Sequence, residues 1–269
     1  MNLSFVLRSS VSLIGFLTLL MSSFNYAFLA AETTSDSQAL RVTVDPATGD
    51  YSIGRPGSAS DVLQATVAAM VDGHWLRARD YPKHSITEST ASDDLGTAHE
   101  WTVRHSGLDG APELLCILHS YTDRPFGDIQ VHVLNSSRQT IHIEAIRAIE
   151  ATQGKILDLG GPVASDRVLS DSFSEDRPAM RIHDLGDEGE MHLAVGSQLL
   201  YDRQSHVSFF VGALTSNRFL TVSRLHVGRS AGAPQIQAFE VDSTGTTELT
   251  KGESLKQSPP EDQIELNLP

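Results

Sequence analysis

The side chains able to do chemistry in this chain are one cysteine, eleven histidines, a group of acids between residues 166 and 176, and a few aromatics. A serine nucleophile fails first. Gly196-Ser197-Gln198 lacks the second glycine of G-x-S-x-G, and no helix is predicted after it to form the strand-turn-helix elbow that exposes the hydroxyl. The sequence contains no G-x-G-x-x-G, no G-x-x-x-x-G-K-[ST] and no H-E-x-x-H, so dinucleotide binding, phosphate cradling and zinc hydrolysis lack support. The expectation is no catalytic residue, no metal ligand set and no cofactor.

Among the histidines, His132 and His142 come nearest to a metal pair, because a hairpin centred on Ser137 would place them opposite one another. A zinc site needs three or four ligands, and His99 and His105 are too far along another strand to complete it. Asp166, Asp171, Glu175 and Asp176 offer carboxylates for a glycosidase, which needs two of them about 5–9.5 Å apart across the bond it cleaves. An acidic loop supplies such pairs without fixing any, and solvated acids are the plainer reading. Sugars pack a C–H face on an aromatic ring, so Trp75, Tyr81 and Trp101 are the carbohydrate-contact candidates, with core packing as the alternative for each. Cys116 lies in the apolar stretch 114–118 and reads as a buried small hydrophobe, since nothing basic adjoins it to favour a thiolate.

The beginning of the chain sets the expected compartment. Arg8 precedes an apolar run over 11–20, and small residues follow at Ala27, Ala30 and Ala31. This is the layout of a secretory signal peptide over residues 1–31, cleaved near Ala31, with an uncleaved anchor as the alternative. The protein is therefore expected to be secreted or periplasmic, free of the membrane after cleavage. The formal net charge of -14 argues against nucleic acid as a partner, because phosphate binding needs clustered Lys and Arg. With one cysteine there is no internal disulfide, and stability must come from a core that 40% hydrophobic content can build.

Short alternating segments must position these side chains. After a polar, disordered stretch at 32–39, Leu40, Val42 and Val44 alternate with Arg41 and Thr43, a half-buried strand. Asp45-Pro46-Ala47-Thr48-Gly49 turns the chain, and Tyr51 and Ile53 complete a hairpin. Strands are expected over 65–71, 85–89, 98–105, 113–120, 129–134 and 236–241. The 129–146 segment reads as a hairpin in which Val133 faces Ile141 and Val131 faces Ile143. Residues 160–190 read as a long irregular segment. A hairpin followed by a third strand spans 195–227, and Ile264, Leu266 and Leu268 form an alternating pattern at the end that looks truncated. The fold class is all-β, a large antiparallel β-sandwich over residues 40–269.

Several segments resemble the N-terminal β-sandwich (supersandwich) of glycoside hydrolases of the α-galactosidase (melibiase) type. They are LRVTVDPATGDYSI at 40–53, VHVLNSSRQTIHIEAIRAIE at 131–150, and LSDSFSEDRPAMRIHDLG at 169–186, followed by VGSQLLYDRQSHVSFFVGAL at 195–214. The resemblance implies that a (β/α)8 barrel, missing or separately encoded, supplies two catalytic aspartates for a retaining mechanism. No residue of this chain matches them. It further implies packing against that barrel, a galactoside-type oligosaccharide as ligand, and homo-oligomer contacts. A free-standing carbohydrate-binding module and an adhesion or assembly protein are the other readings.

Overall fold

The computed structural model describes residues 2–9, 39–152, 157–171, 180–186, 191–215 and 220–244. Among them there is no α-helix, only two single-turn 3-10 segments, and the fold is built of antiparallel strands. No helix there is long and apolar enough to cross a membrane. Nine strands form one sheet in the spatial order β12 (Met180–Asp184), β11 (Asp166–Asp171), β14 (Ser197–Asp202), β15 (Val207–Ala213), β1 (Asn2–Ser9), β9 (Phe126–Leu134), β8 (Glu113–Tyr121), β7 (Gly96–Ser106) and β6 (Lys83–Asp93). Eight form the other, in the order β13 (Met191–Val195), β16 (Leu220–Ser230), β17 (Ala233–Thr244), β10 (Ile143–Ala151), β4 (Asp61–Val71), β3 (Tyr51–Gly54) and β2 (Arg41–Val44), with β5 (His74–Arg77) pairing on β4.

Alternation explains why the sheets stack. On β8, Leu114, Cys116 and Leu118 are buried, and Ile129 and Val131 of β9 lie opposite Leu118 and Cys116. Cys116, Leu118, Ile129 and Val131 join one buried cluster with Ile53, Leu63, Ile149 and Val241 from the other sheet, which makes the two layers a sandwich. Phe209 of β15 meets Phe239 of β17 edge to face across the interior, ring centroids 5.9 Å apart. Two buried hydrogen bonds add direction: Ser120 Oγ donates to the Leu40 carbonyl and the Tyr51 hydroxyl to the Ala148 carbonyl, each at 2.8 Å.

The expected first hairpin is present as β2–β3. Asp45 takes the Ala47 N–H on its side chain at 2.8 Å and the Gly49 N–H on its carbonyl at 2.7 Å, and Gly49 has φ 69°, which a glycine adopts without strain. The expected strands over 65–71, 85–89, 98–105, 113–120, 129–134 and 236–241 all lie within observed ones. The hairpin of 195–214 is β14–β15, with Leu200 opposite Phe209. The third strand of that feature, β16, belongs to the other sheet. Gly196, φ 90°, stands between β13 in one sheet and β14 in the other.

Two expectations are corrected. The 129–146 hairpin does not form: β9 pairs with β8 and β1, while β10 lies in the opposite sheet against β4 and β17. The Asn135 side chain does organise a tight turn, accepting the Ser137 N–H at 3.0 Å, but the chain then arches between layers. Alternation fixes which face of a strand is apolar and leaves open which strand lies beside it. The segment 160–190 is less irregular than expected, since β11 and β12 form an edge hairpin with Leu169 opposite Ile182. Residues 2–9 form strand β1, paired with β9 and β15. Residues 10–38 and the alternating Ile264, Leu266 and Leu268 lie outside the described residues.

Candidate functional site

The outer face of the eight-stranded sheet carries a cleft of about 470 Å3 lined by Met70, Trp75, Arg147, Arg224, Glu240 and Asp242, among others. Register assembles it. Arg147 lies opposite Asp242 on one side and Ala68 on the other, and Ala68 lies opposite Arg77. In neighbouring rows Trp75 faces Met70, and Glu150 faces Glu240, which faces Arg224. The small Ala68 and Ala145 leave room above the sheet for the long side chains around them.

A β-bulge makes the constellation. The register of β10 shifts between Arg147 and Ile149 against β17, and a bulge inserts one extra residue into the alternation. Arg147 and Glu150, three apart, can then share the outer face. The Arg147 guanidinium grips Asp242 with two parallel bonds, Nε to Oδ1 at 2.5 Å and Nη2 to Oδ2 at 2.9 Å. Its Nη1 donates to Glu150 at 2.9 Å and Glu240 at 2.6 Å. Arg77 donates to Glu150 at 2.9 Å, and Arg224 to Asp242 at 2.7 Å. Burial pulls the Arg147 pKa down, but the Asp242 bond and the three carboxylate charges outweigh it and push it up. The guanidinium carbon stands 4.2 Å from the centroid of the Trp75 ring, a cation–π contact. The cleft thus combines charged acceptors, charged donors and a half-buried aromatic ring, all held in place by ion pairs.

The sequence candidates separate. Trp75 lines this cleft. Tyr81 is 2% exposed; its hydroxyl donates to the Pro112 carbonyl at 2.6 Å and burial raises it to about 12, so it is a packing residue. Trp101, on β7 of the other sheet, stacks on His99 with ring centroids 4.0 Å apart and packs against the main core. His132 lies opposite Leu115 rather than His142, and the His142 N–H donates to Asp72 at 3.0 Å. Cys116 is buried and its thiol is pushed up to about 12 by burial. Strand β14 contains Ser197, so no nucleophile elbow exists there. Glu175 and Asp176 lie outside the described residues.

Asp166 is buried opposite Asp202 in the β11–β14 register. Burial and the Asp202 and Asp158 charges raise Asp166 to about 7, and its Oδ1 has no hydrogen-bond partner among the described residues. Burial also pulls on Asp202, yet hydrogen bonds from the Ser165 and Ser205 hydroxyls and the Gln204 and Ser205 N–H groups hold it at about 2. Two carboxyls with separated pKa values are the pattern of acid–base pairs. These are 2% and 0% exposed, so a sugar cannot reach them.

A second network lies on the outer face of the nine-stranded sheet, where Glu100, His119 and Asp128 form one row across β7, β8 and β9. His119 reaches Asp128 through Nδ1 at 3.1 Å and Glu100 through Nε2 at 3.0 Å. The Tyr121 hydroxyl reaches Asp93 at 2.7 Å and Asp128 at 3.0 Å. The ligand atoms of Asp93, His119 and Asp128 lie within 4.8 Å of one another, close enough to surround a metal ion. However, the hydrogen bond to Asp128, above all, raises His119 to about 9. The imidazolium is the cation of this cluster, and both ring nitrogens donate. Sequence reasoning missed both networks, because each depends on which strands are neighbours.

The fold and cleft define a two-sheet antiparallel β-sandwich with an ion-paired, aromatic-lined depression on one face. No family model and no curated protein matches the chain.

Proposed function

We propose that the chain is the non-catalytic N-terminal β-sandwich of an exported α-galactosidase-like glycoside hydrolase and that the Trp75 cleft is its sugar-facing surface. One observation supports this reading above the others: Trp75 stands in an open cleft beside fixed carboxylates and guanidinium groups, the partners that a sugar's C–H face and hydroxyls require. The catalytic aspartates would come from a separate barrel, against which the sandwich packs. A free-standing carbohydrate-binding module is the second reading, favoured because five strands of this one chain build the cleft unaided.

The test uses purified protein with galactoside-type oligosaccharides and an aryl α-galactoside. Calorimetry and tryptophan fluorescence are expected to report saturable sugar binding with no turnover. Trp75→Ala is expected to weaken binding about tenfold or more, a loss of roughly 1.4 kcal/mol, while Trp101→Ala leaves it unchanged. Absence of heat with several sugar classes, or hydrolysis by the purified chain, would overturn the proposal.

A further inference from the structure

The charges around the Trp75 cleft do not cancel. Four carboxylates, Glu144, Glu150, Glu240 and Asp242, stand in or beside it against three guanidinium groups, Arg77, Arg147 and Arg224. Asp242 is held by Arg147 and Arg224, and Glu150 by Arg77 and Arg147. Glu240 takes Arg147 Nη1 at 2.6 Å, and His226 Nε2 stands 3.9 Å from its other oxygen, beyond hydrogen-bond distance. Glu144 is the carboxylate left over. Among the described residues it makes no ion pair: both of its oxygens accept the Gly73 N–H, at 3.0 and 2.9 Å. A carboxylate has about four acceptor positions, so Glu144 keeps room for further donors.

Register puts this spare acceptor beside the ring. Trp75 lies opposite Met70, Met70 opposite Ala145, and Ala145 opposite Thr244, so a floor of largely apolar side chains crosses four strands. The register of β10 against β4 shifts between Ile143 and Ala145, and Glu144 sits in that irregularity. It is next in chain to the floor residue Ala145 and hydrogen-bonded to Gly73, two residues before Trp75. At the other end of the floor, Thr244 Oγ1 is buried and has no hydrogen-bond partner among the described residues.

We infer that the cleft takes an amino sugar in its protonated form, with the ammonium on Glu144, the C–H face of the ring on Trp75 and a hydroxyl at Thr244 Oγ1. The inference rests on the sugar-facing reading of the cleft and adds the charge of the ligand. A sugar hydroxyl brings one donor and no charge. An ammonium brings three donors and the missing cation, and charge-assisted hydrogen bonds are roughly twice as strong as neutral ones. The net charge of -14 draws cationic ligands toward the protein and holds anionic ones off. An acidic sugar would meet Glu144 and Glu240, while Arg77, Arg147 and Arg224 are each already ion-paired. At about 470 Å3 the cleft has the size of sites for small organic ligands.

The test is calorimetry on the full chain with galactose, galactosamine and N-acetylgalactosamine, which share a ring and differ at one substituent: a hydroxyl, an ammonium and a neutral amide. At about pH 6.5 and low salt the amine is protonated, and galactosamine is expected to bind about tenfold tighter than the other two. Glu144→Gln, which keeps an acceptor for Gly73, is expected to bring that ratio to about one, and Glu144→Asp, which keeps the charge, to retain part of it. Ethanolamine, an ammonium without a ring, is expected to bind at least tenfold more weakly than galactosamine. Equal binding of the three sugars would overturn the inference and leave the sugar-facing surface standing, whereas no heat with any of them would overturn both. A galactosamine preference that survives Glu144→Gln, or ethanolamine binding as tight as galactosamine, would overturn the placement of the amino sugar.

Discussion

Replacing His119 by Gln keeps hydrogen-bonding capacity on β8 and removes a titrating charge, which isolates what the imidazolium contributes. His119 is 7% exposed, between Asp128 and Glu100, and its pKa is raised from 6.5 to about 9, first by the Asp128 hydrogen bond. A folded-state pKa above the unfolded one stabilises the protein fully below pH about 6.5, and the contribution is lost as pH rises through about 9. At about 1.4 kcal/mol per pH unit the contribution is on the order of 3 kcal/mol. With an m-value of about 2–3 kcal/mol/M for a chain of this size, the wild-type urea midpoint should fall by about 1 M more than that of His119→Gln between pH 6.5 and 9.5. Taking the difference between the two proteins cancels other groups that titrate in the range. Parallel stability curves over that interval would refute the reasoning and show that His119 is not the cation of its cluster.

Arg147→Ala is expected to destabilise by about 3 kcal/mol, because Glu150 and Asp242, whose side chains are 3% and 5% exposed, each lose a charged partner and keep only Arg77 and Arg224. Arg147→Met/Asp242→Leu is expected to cost less than Arg147→Ala alone, a non-additivity that urea denaturation of the variants reads directly. Asp166→Asn is expected to stabilise the protein at pH 8 relative to wild type and to lose that advantage by pH 4. Wild-type Asp166 must ionise in the folded state at about 7 rather than 3.8, so its burial costs up to ~4 kcal/mol above pH 7 and nothing below pH 4. Melting temperatures of the two proteins at both pH values check the sign.

Local chemistry was legible in the sequence wherever a turn and its flanking strands suffice to define a structure. The β2–β3 hairpin depends on Asp45 and Gly49, residues of its own turn. The β14–β15 hairpin depends on Asp202, which takes the N–H groups of Gln204 and Ser205 at 3.0 and 2.9 Å. Partnership between distant strands was not legible. The alternation of residues 129–133 is satisfied by β8 as well as it would be by residues 141–143, so the layer crossing after Leu134 leaves no mark in the pattern. The bulge that puts Arg147 and Glu150 on one face breaks the very periodicity that sequence reading uses. Trp75 could be singled out as an aromatic, but its guanidinium partner lies 72 residues away in sequence and its acceptors further still.

The cleft owes its existence to how one side of β4 is divided. Strand β3 covers only the first half, pairing with residues 61–65, and β5 covers residues 68–71. A single long neighbour would have continued the ladder evenly across the face. Instead β5 is a separate four-residue strand on β4, and it brings Trp75 and Arg77 to the Arg147–Glu150 pair from the side. On the other sheet, β7, β8 and β9 run as long uninterrupted neighbours, and the polar row Glu100–His119–Asp128 closes upon itself. Both outer faces carry a charged network assembled by register. The one beside a divided strand edge has a half-buried Trp75 ring facing an open cleft, which is why we propose recognition there and a role in stability for His119.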